Sequence, residues 1–285
     1  MVVVIRYDQG FFTGARGVRI YHRSWEPDDA VLSRVTISHG YAEHGERYAH
    51  VATRLAERGF AVSALDHRGH GQSGGDRVNV KRFSDYTDDL HSFLVIGAQR
   101  WPGVRSILLG HSMGGMIALD LALGDASDID ALVLSAPAVC PPKVAGYRVT
   151  AGKVLARVTP GAPVLRLPLN KISKDKAVVK AYKQDKLVFR SMVHARLAAE
   201  WLAAMARVEE NLPALRMPLL VMQGSDDGLV DPGCGPHVVE RAGSADKTLK
   251  MYPGLWHEIF NEPEREMVIS DLISWVTPHA GIGTA

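Results

Sequence analysis

Residues 106–115 are Ser106-Ile107-Leu108-Leu109-Gly110-His111-Ser112-Met113-Gly114-Gly115, an apolar run that ends in a Gly-x-Ser-x-Gly motif. Helix-forming residues follow from Met116, so the order predicts a strand, a sharp turn and a helix. Gly110 and Gly114 lack a Cβ, which lets the chain turn tightly around Ser112. The stretch therefore predicts a serine nucleophile whose hydroxyl projects from the top of the sheet. The Met113 backbone N–H, at the start of the helix, is predicted to stabilise a developing negative charge.

Strands and helices are predicted to alternate on both sides of this stretch. The short apolar run at 60–65 lacks strict alternation, which is typical of a strand covered on both faces, and 131–135 is a further predicted strand. The pattern predicts an α/β-hydrolase fold, with a mostly parallel central sheet and helices on both faces. The remaining predicted strands are 17–25, 31–38, 106–109, 219–223 and 248–252, and the predicted helices include 47–58, 84–100 and 262–276.

The region from Pro137 to about residue 210 interrupts the alternation. Prolines break up its first half, and residues 176–209 are predicted to be mostly helical. We expect residues 1–136 and 211–285 to form the hydrolase core. Residues 137–210 are expected to form an inserted cap, or lid, over the carboxyl ends of the strands, where sheets of this kind bind ligands.

A serine nucleophile needs a base and an acid that orients the base, and in this fold the chain order is Ser, Asp or Glu, then His. His257 follows the last predicted strand and is the predicted base. Three carboxylates compete for the role of the acid after the strand 219–223. Asp227 is favoured, because Asp226 could cap the turn, while Asp231 remains an alternative.

A second oxyanion donor is expected in the loop after the strand 31–38. Gly40 lets the backbone fold inwards, so the Tyr41 backbone N–H can point at the substrate oxygen. The alternative is a simple turn that ends the strand.

The segment Asp66-His67-Arg68-Gly69-His70-Gly71 has the appearance of a metal or phosphate motif. Two histidines on a loop are weak ligands without a third partner, and the glycines lack nucleotide-binding spacing. We expect a structural turn whose Asp66 and Arg68 tie loops together. No metal and no cofactor are predicted.

The overall composition excludes several classes of protein. Lys and Arg number 33 against 31 Asp and Glu, so no strongly basic field predicts a nucleic-acid partner. No secretory signal and no apolar stretch of membrane-spanning length is visible. Cys140 and Cys234 are expected to remain unpaired, which would suit a reducing, cytoplasmic location. The composition does not predict an oligomeric state.

Charge is distributed unevenly along the chain. Between Cys140 and Arg190 there are twelve Lys and Arg residues and only two acidic ones, Asp175 and Asp185, with apolar residues interleaved. One interpretation is a solvated helical cap with an apolar inner side. The other is peripheral contact with an anionic membrane, to which each cation near the surface contributes about 1 kcal/mol.

Several motifs together resemble the monoacylglycerol lipase family, its bacterial members above all. The resemblance covers about residues 15–277 and is weakest in the expected cap. The motifs are His39-Gly40-Tyr41-Ala42-Glu43-His44 with Arg47-Tyr48, Asp66 to Ser73, Gly110 to Gly115, Ser135-Ala136-Pro137, Gly224 to Asp227, and Asp246 to Lys250 with Tyr252 to Arg265.

The resemblance implies Ser112 as nucleophile, Asp227 as acid and His257 as base. It favours Asp227 because the family's acid is the second Asp of this turn, 30 positions before the histidine. It also implies the Tyr41 and Met113 amides as oxyanion donors.

Glu43 and Arg47 match positions that shape the glycerol-binding end of the site in relatives, so they are expected to bind substrate. Two residues depart from the mammalian pattern: Tyr41 replaces a small residue, and Phe260 stands where a histidine lies near the glycerol site.

The predicted activity is hydrolysis of monoacylglycerols to glycerol and fatty acid through an acyl-enzyme. A carboxylesterase or lysophospholipase of broader specificity with the same triad is the alternative. A hydrolase scaffold that only binds a ligand is a second alternative, which the complete set of triad residues disfavours.

Overall fold

An eight-stranded sheet runs through the molecule, in a computed structural model that describes residues 3–141, 152, 154–190 and 192–281. Its spatial order is β1-β2-β4-β3-β5-β6-β9-β10, while β7 and β8 pair separately. Strands β1 and β2 are antiparallel to their neighbours and the others are parallel, which confirms the predicted fold class. The strands in the described part of the chain are β1 (Ile5–Thr13), β2 (Arg19–Pro27), β3 (Ser33–Ser38), β4 (Phe60–Leu65), β5 (Arg105–His111), β6 (Ala131–Ser135), β7 (Pro163–Leu165), β8 (Val193–His194), β9 (Leu219–Gly224) and β10 (Lys247–Tyr252).

Helices cover both faces of the sheet, because side chains alternate between the two faces along each strand. On β5, Leu108 belongs to one core, while Ile107 and Leu109 belong to the core on the opposite face. The helix that follows β5 is buried on nearly all sides, which explains its lack of a polar face. The helices are Ala49–Ala56, Ser84–Arg100, Met113–Gly124, Lys176–Gln184, Ala195–Asn211, Cys234–Arg241 and Arg265–His279, and residues 154–158 are also helical.

Strands β7 and β8 were not predicted from the sequence, and neither were two elements of the main sheet and its covering helices. Strand β1 lies at the edge of the sheet with most of its side chains exposed, and Gly10 interrupts its apolar pattern. The helix Cys234–Arg241 contains Gly235 and Pro236 in its first turn, which weakens its helical pattern. The expected helical region 176–209 is divided into two helices.

The expectation of two unpaired cysteines is wrong. Cys140 and Cys234 form a disulfide, with Cα atoms 5.8 Å apart and a separation of 94 positions in sequence. A cross-link that closes so long a loop stabilises the folded state by about 4 to 5 kcal/mol in the chain-entropy view. The argument from free cysteines for a reducing compartment therefore no longer holds.

The turn after β4 has the structural role predicted for it. Both Asp66 oxygens accept hydrogen bonds, among them one of 2.7 Å from Arg23. Arg68 forms a two-pronged ion pair with Asp89, at 2.6 and 2.7 Å, and also donates to the Ala15 carbonyl. These buried contacts tie β2 and the helix Ser84–Arg100 to the turn, which confirms the interpretation.

The segment between β6 and β9 packs against the loops at the carboxyl ends of β3 and β10. The Phe189 N–H donates to the Ala42 carbonyl at 2.9 Å, and the Glu258 N–H donates to the Ile172 carbonyl at 2.8 Å. Three of the twelve basic residues counted in this segment, Lys143, Arg148 and Lys153, lie outside the described residues. Within the described part of the chain, no helix is long and apolar enough to cross a membrane.

Candidate active site

Ser112 sits at the apex of the turn between β5 and the helix Met113–Gly124. Its φ is 53° and its ψ is −118°, a conformation that residues with a side chain rarely adopt. The Ser112 N–H donates to the Ser135 carbonyl at 2.9 Å, and its carbonyl accepts from Ala138 at 3.0 Å. Neighbouring backbone thus holds the serine in a strained conformation that places its side chain at the end of the strand.

The two glycines of the motif are required by close backbone contacts. A Cβ on Gly114 would collide with the carbonyl oxygens of Ser38 and His39. A Cβ on Gly110 would lie 2.5 Å from the Gly114 carbonyl oxygen. The helix can therefore start directly against β3 and β5 only when both positions lack a side chain.

His257 and Asp227 lie in the loops after β10 and β9, and a hydrogen bond joins them. The His257 Nδ1 donates to Asp227 Oδ2 at 2.8 Å, and Gln223 Nε2 donates to the same oxygen at 2.9 Å. The Asp227 Oδ1 accepts from the backbone N–H groups of Leu229 and Val230 at 2.8 and 3.0 Å. All four hydrogen bonds hold the carboxylate in one orientation behind the imidazole.

The other two carboxylates of this turn make different contacts. Asp226 Oδ1 accepts from the Ser225 hydroxyl at 2.7 Å on the exposed side of the turn. Asp231 Oδ1 accepts from the Gly233 N–H at 2.9 Å, near the start of the helix Cys234–Arg241. Of the three candidates, the structure brings Asp227 to His257.

Opposing effects act on the pKa of His257. Burial of the imidazole by itself lowers the pKa, but the Asp227 carboxylate, through its charge and its hydrogen bond, raises it. Glu258 and Glu43 add to that effect, and the net result is a pKa above the usual value of 6.5. The charged imidazolium is thus more stable in this site than on a free histidine.

Tyr41 follows Gly40 in the loop after β3, close to Ser112. A Cβ on Gly40 would lie 3.3 Å from the Ser112 Cβ, so the loop backbone passes directly beside the serine. The Tyr41 side chain is buried, and its hydroxyl donates to the Met192 carbonyl at 3.4 Å. The structure thus brings Gly40 and Tyr41 alongside the elbow that contains Met113.

Glu43 and Arg47 belong to a buried ion-pair cluster that also contains Glu258. Arg47 Nη1 donates to Glu43 Oε2 at 3.0 Å, and its two terminal nitrogens donate to the two oxygens of Glu258 at 2.7 and 2.6 Å. The Arg47 guanidinium lies 4.5 Å from the Tyr182 ring centroid. Phe260, in contrast, is buried in the core on one face of the sheet.

Residues of the candidate site line a cavity of about 350 Å³. Tyr41, Glu43, Ser112 and His257 all line it, and its remaining wall is largely apolar. The apolar lining comes mainly from the segment between β6 and β9 and consists of Leu165, Leu167, Leu169, Ile172, Val193, Ala198, Trp201, Leu202, Met205, Leu229 and Val230.

Two polar residues of the site were missed by sequence reasoning. Glu258 lines the cavity and pairs with Arg47, and Gln223 supports Asp227 from within β9. Glu258 directly follows His257, so its position in the sequence could have indicated that it belongs to the site. Nothing in an apolar strand marks Gln223 as a hydrogen-bond donor. Among the described residues, no group of His, Cys, Asp or Glu is arranged to hold a metal ion.

Comparisons with known proteins agree with this geometry. The family model for the serine aminopeptidases, S33, matches residues 29–264. A monoacylglycerol lipase from Mycolicibacterium smegmatis is 41% identical over 94% of this chain and 96% of its own length. The human monoglyceride lipase is 35% identical, over 98% of this chain and 93% of its own length.

A solved structure extends the likeness to three dimensions. The monoacylglycerol lipase from Paleococcus ferrophilus superimposes with a TM-score of 0.79 at 27% identity, and the alignment covers 97% of this chain and 99% of the other. The chain therefore belongs to the serine aminopeptidase S33 family of α/β-hydrolases and, within it, to the monoacylglycerol lipases.

Proposed function

We propose that this chain is a serine hydrolase that cleaves monoacylglycerols to glycerol and fatty acid. One observation carries the proposal: Ser112 and His257 line a single apolar cavity, and Asp227 holds the histidine from behind. The similarity to the monoacylglycerol lipase of Mycolicibacterium smegmatis supports this choice of substrate.

In the first half of the reaction, Ser112 Oγ attacks the ester carbonyl carbon while His257 Nε2 takes the hydroxyl proton. The Asp227 carboxylate keeps the Nδ1 proton in place and stabilises the imidazolium. The Tyr41 and Met113 backbone N–H groups donate to the oxyanion of the tetrahedral intermediate. The intermediate collapses, His257 gives its proton to the glycerol oxygen, and an acyl-enzyme ester remains on Ser112.

Water completes the cycle. His257 takes a proton from water as the water oxygen attacks the acyl carbonyl, and the second tetrahedral intermediate expels Ser112 Oγ. The serine recovers its proton from His257, and the fatty acid leaves. Apart from this water molecule, each step is assigned to side chains and amides of this chain.

Residues 137–210 are proposed to form a cap that encloses the acyl chain. This segment supplies most of the apolar wall of the cavity, and the Phe189 N–H fixes it to the core by donating to the Ala42 carbonyl at 2.9 Å. A largely apolar cavity with a few polar groups at one end fits an amphiphilic ester, whose alkyl chain is buried while its head group lies at the polar end near Glu258.

A panel of esters tests the proposed substrate. We expect kcat/KM for 1-monoolein to exceed that for diolein, lysophosphatidylcholine and short p-nitrophenyl esters, because one acyl chain fits the cavity and a small alcohol fits its polar end. Monoolein as the poorest substrate of the panel would contradict the proposal and favour a broader esterase or a lysophospholipase. Failure of an active-site fluorophosphonate to label Ser112 would instead favour a scaffold that only binds.

Membrane contact is the second part of the proposal. The segment exposes apolar side chains, including Val158, which is 75% exposed, and Val154, which is 56% exposed. Lys176, Lys180 and Lys183 are exposed on one helix, and no described carboxylate lies within ion-pair distance of them. Exposed apolar residues and exposed cations on the same segment suit an anionic bilayer surface.

Reversal of these three charges tests the contact. We expect Lys176→Glu, Lys180→Glu and Lys183→Glu together to weaken sedimentation with phosphatidylserine vesicles, and the wild-type binding to fade as salt is raised. The matched control combines Arg58→Glu, Arg105→Glu and Lys247→Glu, since these exposed cations lie towards the amino ends of β4, β5 and β10, away from the cavity. Equal binding of both variants, or wild-type binding that is insensitive to salt, would contradict membrane docking through this segment.

A further inference from the structure

Glu43 is buried, with only 3% of its surface exposed, and its carboxylate accepts hydrogen bonds from three donors of the protein. Its Oε1 accepts from the Gly40 backbone N–H at 2.6 Å and from the Tyr48 hydroxyl at 2.7 Å. Its Oε2 accepts from Arg47 at 3.0 Å. Both oxygens are therefore directed at the protein, one of them at the loop that leads to Tyr41.

A second hydrogen bond holds the next peptide group of that loop, which joins Gly40 to Tyr41. His39 Nδ1 donates to the Gly40 carbonyl at 2.7 Å, because its Nε2 accepts from the His67 N–H at 2.9 Å and so carries no proton. The peptide bonds of the described chain are trans, and in a trans peptide the carbonyl and the following N–H point in opposite directions. Fixing the Gly40 carbonyl on His39 therefore also fixes the direction of the Tyr41 N–H.

Charge strengthens the hold of Glu43 on Gly40. Burial raises the pKa of Glu43 above its usual value, and the neighbouring Arg47 guanidinium offsets part of that effect. Both oxygens accept hydrogen bonds, one from Gly40 and Tyr48 and the other from Arg47, which is the pattern of an ionised carboxylate. A backbone N–H binds an ionised carboxylate more strongly than a neutral acceptor. Arg47 also forms a two-pronged pair with Glu258, so it stays paired if Glu43 loses its charge.

We propose that Glu43 is a positioning residue for the oxyanion site: through the Gly40 N–H it sets the place of the Tyr41 N–H beside Ser112. This inference rests on the proposed ester hydrolysis, in which that N–H stabilises the tetrahedral intermediate. It differs from the glycerol-binding role that the family resemblance implies for Glu43. A contact with glycerol would affect glycerol esters only, whereas a displaced oxyanion donor would affect every ester.

The test compares Glu43→Gln with the wild type on two esters of one fatty acid, its 1-monoacylglycerol and its p-nitrophenyl ester. We expect kcat/KM to fall by about 100-fold on both, mainly through kcat, because a small displacement of an oxyanion donor acts on the transition state. A loss confined to the monoacylglycerol, with a raised KM, would overturn the proposal in favour of glycerol binding. An unchanged kcat/KM on both esters would also overturn it.

A transition-state readout separates positioning from a general structural defect. The affinity for a long-chain trifluoromethyl ketone, which forms a tetrahedral oxyanion on Ser112, should fall in parallel with kcat/KM. The affinity for the ether analogue of the monoacylglycerol, which has no carbonyl, should stay unchanged. Equal losses for both inhibitors would overturn the proposal.

The control is Glu46→Gln, the same change three positions along the chain, where the carboxylate pairs with Arg23 away from the cavity. If Glu43→Gln does not fold, Glu43→Asp keeps the charge but withdraws the carboxylate from Gly40, and the same parallel losses are expected. A failure of the monoolein preference would refute the proposed substrate, while the p-nitrophenyl ester would still report on Glu43.

Discussion

Ser112→Ala is expected to lower kcat for monoacylglycerol hydrolysis by about 10⁶-fold, the size of effect that follows removal of a serine nucleophile. The reason is that the reaction is proposed to pass through an ester on Ser112 Oγ, and alanine offers no atom that can form it. Ser112 lines the cavity together with His257, and its strained backbone places this side chain beside Gly40. Single-turnover and steady-state assays on monoolein measure the loss, and fluorophosphonate labelling should disappear with it.

The control for this variant is Ser127→Ala, on an exposed turn after the helix Met113–Gly124, which should leave kcat unchanged. Ser112→Gly provides a second check, because glycine relieves the positive φ while it also removes the hydroxyl. It should be as inactive as the alanine variant but more stable to thermal unfolding, since a strained residue of this kind costs about 1 to 3 kcal/mol. Substantial turnover by either Ser112 variant would exclude this serine as the nucleophile.

Elements bounded by strong local patterns were predictable from the sequence. The strand Phe60–Leu65 and the helix Ser84–Arg100 have the predicted bounds, because turn residues or a change of periodicity mark both ends. Strand β1 escaped prediction because an exposed edge strand needs no continuous apolar face. The Cys140–Cys234 bridge was also out of reach, since 94 positions separate the two residues and only the packing of the helix Cys234–Arg241 brings them together.

The candidate site likewise contains features that were predictable from the sequence and features that were not. Ser112, Asp227 and His257 each follow a strand, and the carboxyl ends of parallel strands converge, so their proximity could be inferred from the order of elements. Two features depend on side-chain orientation and could not be inferred: the direction of the Glu43 carboxylate, which is turned towards the Gly40 N–H, and the pairing of Arg47 with Glu258. Chain order predicts which residues meet, whereas the geometry of each contact decides what a residue can do there.

Contact geometry is most important for the choice of the acid that orients His257, because Asp226 and Asp227 are adjacent in the chain and differ in where their side chains point. Asp227→Asn should lower kcat by about 10⁴-fold, since asparagine cannot accept from His257 Nδ1 as a carboxylate does and favours the wrong tautomer of the imidazole. Asp226→Asn, the matched control one position away, should leave kcat nearly unchanged, because Asp226 is exposed and bonds to Ser225. A large loss from Asp226→Asn together with a small one from Asp227→Asn would reverse the assignment.

The pH dependence gives an independent readout of the same contact. His257 must be neutral to accept the proton of Ser112, so kcat/KM should rise with pH through the pKa of the histidine. Since the Asp227 carboxylate raises that pKa against the effect of burial, the acid limb of the wild-type profile should lie above pH 6.5. In Asp227→Asn the carboxylate is gone, while burial still lowers the pKa of His257. The acid limb of the pH profile of the residual activity should therefore move to lower pH. An acid limb that stays in place in Asp227→Asn would mean that Asp227 does not set the protonation of His257, and the acid would then have to be sought elsewhere in the site.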